Sequence, residues 1–191
     1  MSLAACASAA AAVFPAVTIQ TTAGPLPLRD TMLSIGGAES SWNPNAQGDR
    51  GLAGPSCAGF TSWGWLQIHS VHAAYLQAVT GSANACAWAA WLYNPTHCAR
   101  AALAVLGSGP SYDLGAWTTY SDGRWLGYLP QAQRALAALD VTTPSPGTGT
   151  GEAVASGANV APVNWPVVGA ILGLAAAVAA VEVLEARRAA V

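Results

Sequence analysis

Residues 142–164 read TTPSPGTGTGEAVASGANVAPVN, a run dominated by Pro, Gly, Thr and Ser. Such a stretch buries too little apolar surface to offset the entropy of ordering its backbone. It therefore divides the chain. Any packed core must be built before it, and the C-terminal remainder must be stable on other terms. That remainder opens with WPVVGAILGLAAAVAAVEVL at 165–184. Its apolar part makes about 25 Å of helix at roughly 1.5 Å per residue, and the flanks bring it near the ~30 Å thickness of bilayer hydrocarbon. Trp165 stands at one edge as an interfacial anchor, and Arg187 and Arg188 lie past the other. Glu182 is close enough to the end to be hydrated. The expectation is one C-terminal transmembrane helix over 165–186 with a basic tail at 187–191. Before it come an apolar N-terminal segment at 1–24, a folded domain at 25–140 and a linker at 141–164.

The charge balance agrees with a chain that is partly membrane-embedded. Only 8% of residues are charged, against ~25% in ordinary soluble domains. Lysine is absent and the net charge is −2, so there is no electrostatic footprint for nucleic acid. The N-terminus, MSLAACASAAAAVFPAVTIQ, is apolar and carries an Ala7-Ser8-Ala9 that mimics a cleavage site, but it lacks the basic start of a signal peptide. It reads as a helix packed on the domain or a flexible arm.

Within 25–140 the pattern is mainly helical. Leu28, Met32, Ile35, Glu39 and Trp42 recur at steps of four and three, one face of a helix. Asp30 lies near its start, and Pro44 ends it by Asn43. Residues 70–80, 84–93, 97–106 and 130–139 read as further helices. Pro95 and the Gly107–Pro110 turn interrupt them. Trp63-Gly64-Trp65-Leu66-Gln67-Ile68 alternates enough to be a short strand or hairpin arm.

Glu39 is the only glutamate in the first 151 residues, and it occupies the apolar stripe of its own helix. A carboxylate there loses hydration, which raises its pKa. That is the physical profile of a general acid. The ordinary alternative is a carboxylate that caps a turn or pairs with an arginine.

Four motifs then carry a resemblance. Glu39-Ser40 precedes Asn43-Pro44-Asn45-Ala46. Some twenty residues on comes Ser62-Trp63-Gly64-Trp65-Leu66-Gln67-Ile68. Next are Leu92-Tyr93-Asn94-Pro95 with Ala99-Arg100-Ala101-Ala102, and last Ala116-Trp117-Thr118-Thr119-Tyr120 with Gly123-Arg124-Trp125. In this order, over 31–136, they resemble the soluble lytic transglycosylases and goose-type lysozymes, including phage-associated lysozyme-like domains. The resemblance implies a lysozyme-like helical domain with a short β element beside a cleft. It implies peptidoglycan glycan strands as substrate, no cofactor, and Glu39 as the acid that protonates the glycosidic oxygen. In a transglycosylase the same group then takes the proton of the sugar's 6-hydroxyl and closes a 1,6-anhydro ring. Two departures stand out: the family's Ala-Tyr-Asn segment reads Ala116-Trp117-Thr118, and its Asn after the helix-starting Pro is Cys98. Tyr120 is the candidate hydroxyl near the acid.

A hydrolase needs a second carboxylate, ~6.5–9.5 Å away to activate water or ~5–5.5 Å away as nucleophile. Asp30 is about 13 Å from Glu39 along the helix, Asp140 ends the domain, and Asp122 sits in a Ser-Asp-Gly turn. Asp49, in the Gly-rich loop, is the best candidate. The weakness of this set favours a transglycosylase over a hydrolase.

Eight tryptophans are many for a chain of this size. Aromatic faces both stack on sugars and fill cores. Trp88 and Trp91, three apart, read as core, whereas Trp63, Trp65 and Trp117, with Ser40 and Gln67, are the candidate sugar contacts. Cys6, Cys57, Cys86 and Cys98 allow one bridge inside the domain, expected to involve Cys98. His69, His72 and His97 have no zinc-ligand spacing and read as solvated surface residues, so no metal is expected. These readings combine into a single-pass membrane enzyme whose domain lies outside a bacterial envelope or phage virion membrane. Its linker reaches ~70 Å at ~3.3 Å per residue. A non-catalytic glycan-binding or structural virion protein is the alternative of a different class.

Overall fold

The second helix is buried all round along its middle, and the rest of the fold is wrapped about it. A computed structural model describes residues 3–107 and 112–142, which fall within one compact unit, Met1–Gly147. The segments at 165–186 and 187–191 and nearly all of the linker lie outside the described residues. Among those described, no helix is long and apolar enough to cross a membrane. The architecture is mainly α-helical with two small antiparallel sheets.

Helix α1 (Leu3–Val13) is rich in alanine, the best helix former. It buries Cys6, Ala7, Ala9 and Ala10 against α5 (Pro95–Leu106), which answers with Cys98, Ala99, Ala101 and Ala102. Small side chains on both faces let the two helices approach closely. Of the two expectations for the N-terminus, a packed helix or a flexible arm, the structure has the packed helix: α1 and Phe14 belong to the core. A hairpin comes next, β1 (Thr18–Thr21) and β2 (Gly24–Pro27). Its turn is held by the Thr21 hydroxyl, which donates to Gly24 O at 2.7 Å and accepts from Ala23 N at 3.1 Å.

Pro27 leads directly into α2 (Leu28–Ser40), where its fixed φ suits a helix start. Every residue from Thr31 to Gly37 is buried. The two hydroxyls in this run are satisfied, Thr31 by Pro27 O at 3.0 Å and Ser34 by Trp125 O at 2.8 Å. Two consecutive glycines sit in the helix one turn before its end, at a cost of roughly 1 kcal/mol each relative to alanine. Packing explains them. A Cβ on Gly36 would lie 2.2 Å from Trp65 Cε3, and one on Gly37 would lie 2.6 Å from Tyr128 Cδ1 and 2.7 Å from Trp42 Cζ2. The helix stops because Ser41 and Trp42 both turn left-handed, with Ser41 N bonded to Gly37 O at 2.8 Å. Trp42 thus lies beyond the helix, and its indole folds back to donate to Leu33 O at 2.8 Å.

The second sheet runs β3 (Gln47–Arg50), β4 (Phe60–Trp63), β5 (Ile68–His69). The segment 63–68, expected to be a short strand or hairpin arm, is the tip of a hairpin: Trp63 ends β4, Ile68 begins β5 and residues 64–67 make the turn between them. Gly64 makes that turn with φ +80°, pressed against Cys98 Sγ and Leu92 O. Helices α3 (Ala73–Thr80), α4 (Ala85–Leu92) and α5 come after it. Asn84 and Asn94 cap the last two, and Pro95 takes the first position of α5, two residues earlier than expected. Short α6 (Thr118–Ser121) and long α7 (Leu129–Thr142) return to pack on α2. Cys57 bridges Cys86, tying the loop between β3 and β4 to α4. The expected bridge at Cys98 is corrected: that thiol, on α5, is free and fully buried, with its Sγ close against Gly64.

Candidate active site

Glu39 emerges at the C-terminal turn of α2, where the buried helix reaches the surface. The side chain is half-buried and lines a cleft of about 420 Å3. Thr119, at the start of α6 and only 2% exposed, donates its hydroxyl to Glu39 Oε1 at 2.6 Å. The only ion pair among the described residues joins Arg124 to Asp122, so Glu39 has no cationic partner in contact. Burial pushes its pKa up. The Thr119 hydroxyl, the charge of Arg124 and the Thr119 backbone N–H pull it partly back, and the charge of Asp49 adds to the rise. The raised pKa suits the group to proton donation, and one short hydrogen bond holds it in place.

Asp49 stands on the opposite, sheet-built wall of the same cleft. It is exposed, and its backbone is left-handed at φ 55° in the middle of β3, between the Gly48–Ser62 and Arg50–Phe60 pairs. A non-glycine residue there is strained by about 1–3 kcal/mol. Ser62 Oγ donates to the carboxylate, and Thr61 Oγ1 donates to Asp49 O at 2.9 Å. The kink and these two hydroxyls aim the side chain. Gln67 lines the cleft beside it, also left-handed at φ 50°. Its amide lies on Gly48 and donates to Gly64 O at 2.8 Å.

No protein-family model, curated protein or solved structure matches the chain. The reading of the site therefore rests on its own geometry.

The structure brings some expected residues together and removes others. Glu39, Asp49, Gln67 and Trp117 all line the one cleft. Trp117 is 5% exposed, and its indole donates to Leu66 O at 2.8 Å, so it supports the cleft floor more than it offers a face. Trp63 and Trp65 are corrected: both are fully buried, because the turn at Gly64 folds them inward. The Trp65 ring packs on Gly36 and its Nε1 donates to Pro95 O at 3.0 Å. Ser40 is corrected as well. Its hydroxyl lies within bonding range of Gly36 O and Trp65 O, where it braces the end of α2. Tyr120 is not the hydroxyl beside the acid. It stacks on Trp125 at 5.4 Å, and its oxygen accepts from Thr22 N at 3.3 Å on the β1–β2 turn. Its neighbour Thr119 holds that role.

Four contributors escape sequence reasoning. Thr119 is a common residue type with no local signal. Arg124 lines the cleft but comes just after an ordinary turn. The histidines His69 and His72 read as solvated from sequence, yet both line the cleft. Their position just after Gln67, three apart, is the available clue. His69 Nδ1 accepts from Val71 N at 2.9 Å, which leaves the proton of the neutral ring on Nε2. Burial, then the charge of His69, lowers the pKa of His72. His97 instead stacks on Trp91 at 4.5 Å, outside the cleft lining. Among the described residues no group of His, Cys, Asp or Glu is placed to hold a metal ion.

Proposed function

We propose that this chain cleaves the β-1,4-linked glycan strands of peptidoglycan with Glu39 as general acid and then base, in a lysozyme-like domain. One observation carries the reading. A carboxyl raised in pKa by burial, unpaired by any cation and gripped by Thr119, opens onto a cleft large enough for sugar rings. Binding alone does not require an acid in that environment. The acid protonates the leaving glycosidic oxygen, and the resulting carboxylate takes the sugar's 6-hydroxyl proton, releasing a 1,6-anhydro product without water.

A second reading, hydrolysis, is favoured by Asp49. A strained, hydroxyl-held carboxylate lining the same cleft as the acid is the candidate to activate water. In either mode the chain acts outside a membrane, anchored by the apolar segment at 165–186, in a bacterial envelope or a phage virion membrane.

Mass spectrometry of purified peptidoglycan digested by the full chain tests this, beside Glu39→Gln and Asp49→Asn. Anhydro-muramic ends that vanish with Glu39→Gln and persist with Asp49→Asn support the transglycosylase. Reducing ends lost in both variants support the hydrolase. Cleavage by Glu39→Gln at the wild-type rate sinks both. No cleavage by folded wild-type protein favours a non-catalytic glycan-binding or structural role.

A further inference from the structure

Arg124 is the one arginine among the described residues that line the cleft, whose other ionisable side chains are the carboxyls of Glu39 and Asp49 and the imidazoles of His69 and His72. Its side chain is 61% exposed and is clamped from behind. Asp122 Oδ2 takes its Nε at 2.7 Å while Asp122 Oδ1 takes its backbone N–H at 3.0 Å. Gly123, left-handed at φ +80°, makes the tight turn that lets one carboxylate hold both groups. An exposed ion pair of this kind adds only ~0–1 kcal/mol to stability. What the clamp does is orientation. Binding through Nε leaves both Nη groups without a partner among the described residues, so the outer edge of the guanidinium is presented to the cleft already ordered. A planar fork in that state matches a carboxylate by two parallel hydrogen bonds, and little side-chain entropy remains to be lost on binding.

We propose that Arg124 determines substrate specificity by taking a carboxylate carried by the glycan's lactyl or peptide substituents. The cleft then selects acidic strands over neutral glycan. This rests on the glycan-cleavage reading for its substrate class, but its test is a binding measurement that does not depend on catalysis.

The full chain carrying Glu39→Gln, which does not consume its ligand, is co-sedimented with insoluble peptidoglycan before and after carbodiimide coupling of methylamine to its carboxylates. Binding is expected to weaken about tenfold on amidation. Adding Arg124→Gln brings binding to untreated material down to the amidated level, and Arg124→Lys restores part of the difference by keeping the charge without the fork. Asp122→Asn, which leaves the charge and loosens the clamp, falls between. Soluble strands freed of peptide by an amidase, used as competitors, distinguish the two sources. The amidase frees a lactyl carboxyl that the stem peptide otherwise holds as an amide, so effective competition assigns binding to the lactyl carboxylate of strands without peptide, and poor competition assigns it to the carboxylates of the peptide. Equal binding to both materials, or a preference that survives Arg124→Gln, overturns the proposal. Absence of cleavage with the preference intact would instead remove the catalytic reading and leave Arg124 standing.

Discussion

The cleft has two walls built on opposite principles. The helical wall is the last turn of α2, with Gly36 under Trp65 and Gly37 under Tyr128 and Trp42. Everything that positions Glu39 there is buried and interlocked. The sheet wall carries Asp49 on an exposed strand, next to a loop at 51–56 that is exposed throughout and tethered at Cys57 to α4. Near its base, Arg50 lies over the Phe60 ring at 5.4 Å. One wall is rigid because its atoms have no room. The other is held by a kink, two hydroxyls and a covalent tie. Such a pairing gives one cleft two carboxyls in different surroundings: Glu39, whose pKa burial raises, and Asp49, which is exposed.

Substitutions on the helical wall should have the largest consequences. Glu39→Gln removes the transferable proton and is expected to lower cleavage about 10³-fold, read as product release from peptidoglycan. The same variant has an opposite effect on stability. The pKa of Glu39 is raised above its ordinary 4.5 in the folded state. The folded protein therefore holds the proton more tightly than the unfolded chain, and wild-type stability falls as pH rises from about 4.5 through the folded pKa. Glu39→Gln lacks that loss, so its melting temperature relative to wild type should climb across that window. A difference independent of pH would contradict the burial argument.

Gly36→Ala tests the interlock itself. The added methyl meets the rigid, fully buried Trp65 ring, and a loss of about 3 kcal/mol is expected in chemical denaturation. Gly51→Ala on the sheet side has open space around it and only a left-handed φ of +78° to oppose it, so about 1 kcal/mol should be lost. Equal costs would mean that the two walls do not differ in rigidity.

On the sheet wall the tie is the largest single contribution. Cys57 and Cys86 close a separation of 29 residues, and replacing both by serine should cost about 3 kcal/mol. The loop should then become the first site cut in limited proteolysis. Cutting elsewhere would show that the strands, not the bridge, hold the wall.

Thr119→Val gives the finest resolution. Without the hydroxyl the carboxylate loses a bond that favours its charged form, so the pKa of Glu39 rises further. The alkaline limb of the cleavage–pH profile should move to higher pH, with a loss in rate of about tenfold from misorientation. Thr119→Ser should restore both. An unmoved limb would reduce Thr119 to a packing residue.

Local rules reach far into this chain and then stop. The step of four and three from Leu28 to Glu39 is a backbone periodicity, and α2 obeys it. Asn94-Pro95 starts α5 because capping and a fixed φ act within three residues. Glu39 stands out because a lone acid on an apolar stripe is a local contradiction, and such contradictions are visible without a fold. Long-range packing governs the remainder. Whether Trp65 faces a sugar or a glycine depends on the turn at Gly64 and on a helix 29 residues earlier in the chain. Which hydroxyl meets Glu39 depends on the rotation of a four-residue helix 80 positions away, enough to exchange Tyr120 for Thr119. Cys57 found Cys86 because loop and helix pack together, which spacing does not encode. The helices and the one acid on an apolar stripe are legible in the bare chain, since those depend on near neighbours along the backbone. The walls of the cleft, the partner of the acid and the residues buried behind it are contacts between distant segments, and only the folded chain brings those within bonding distance.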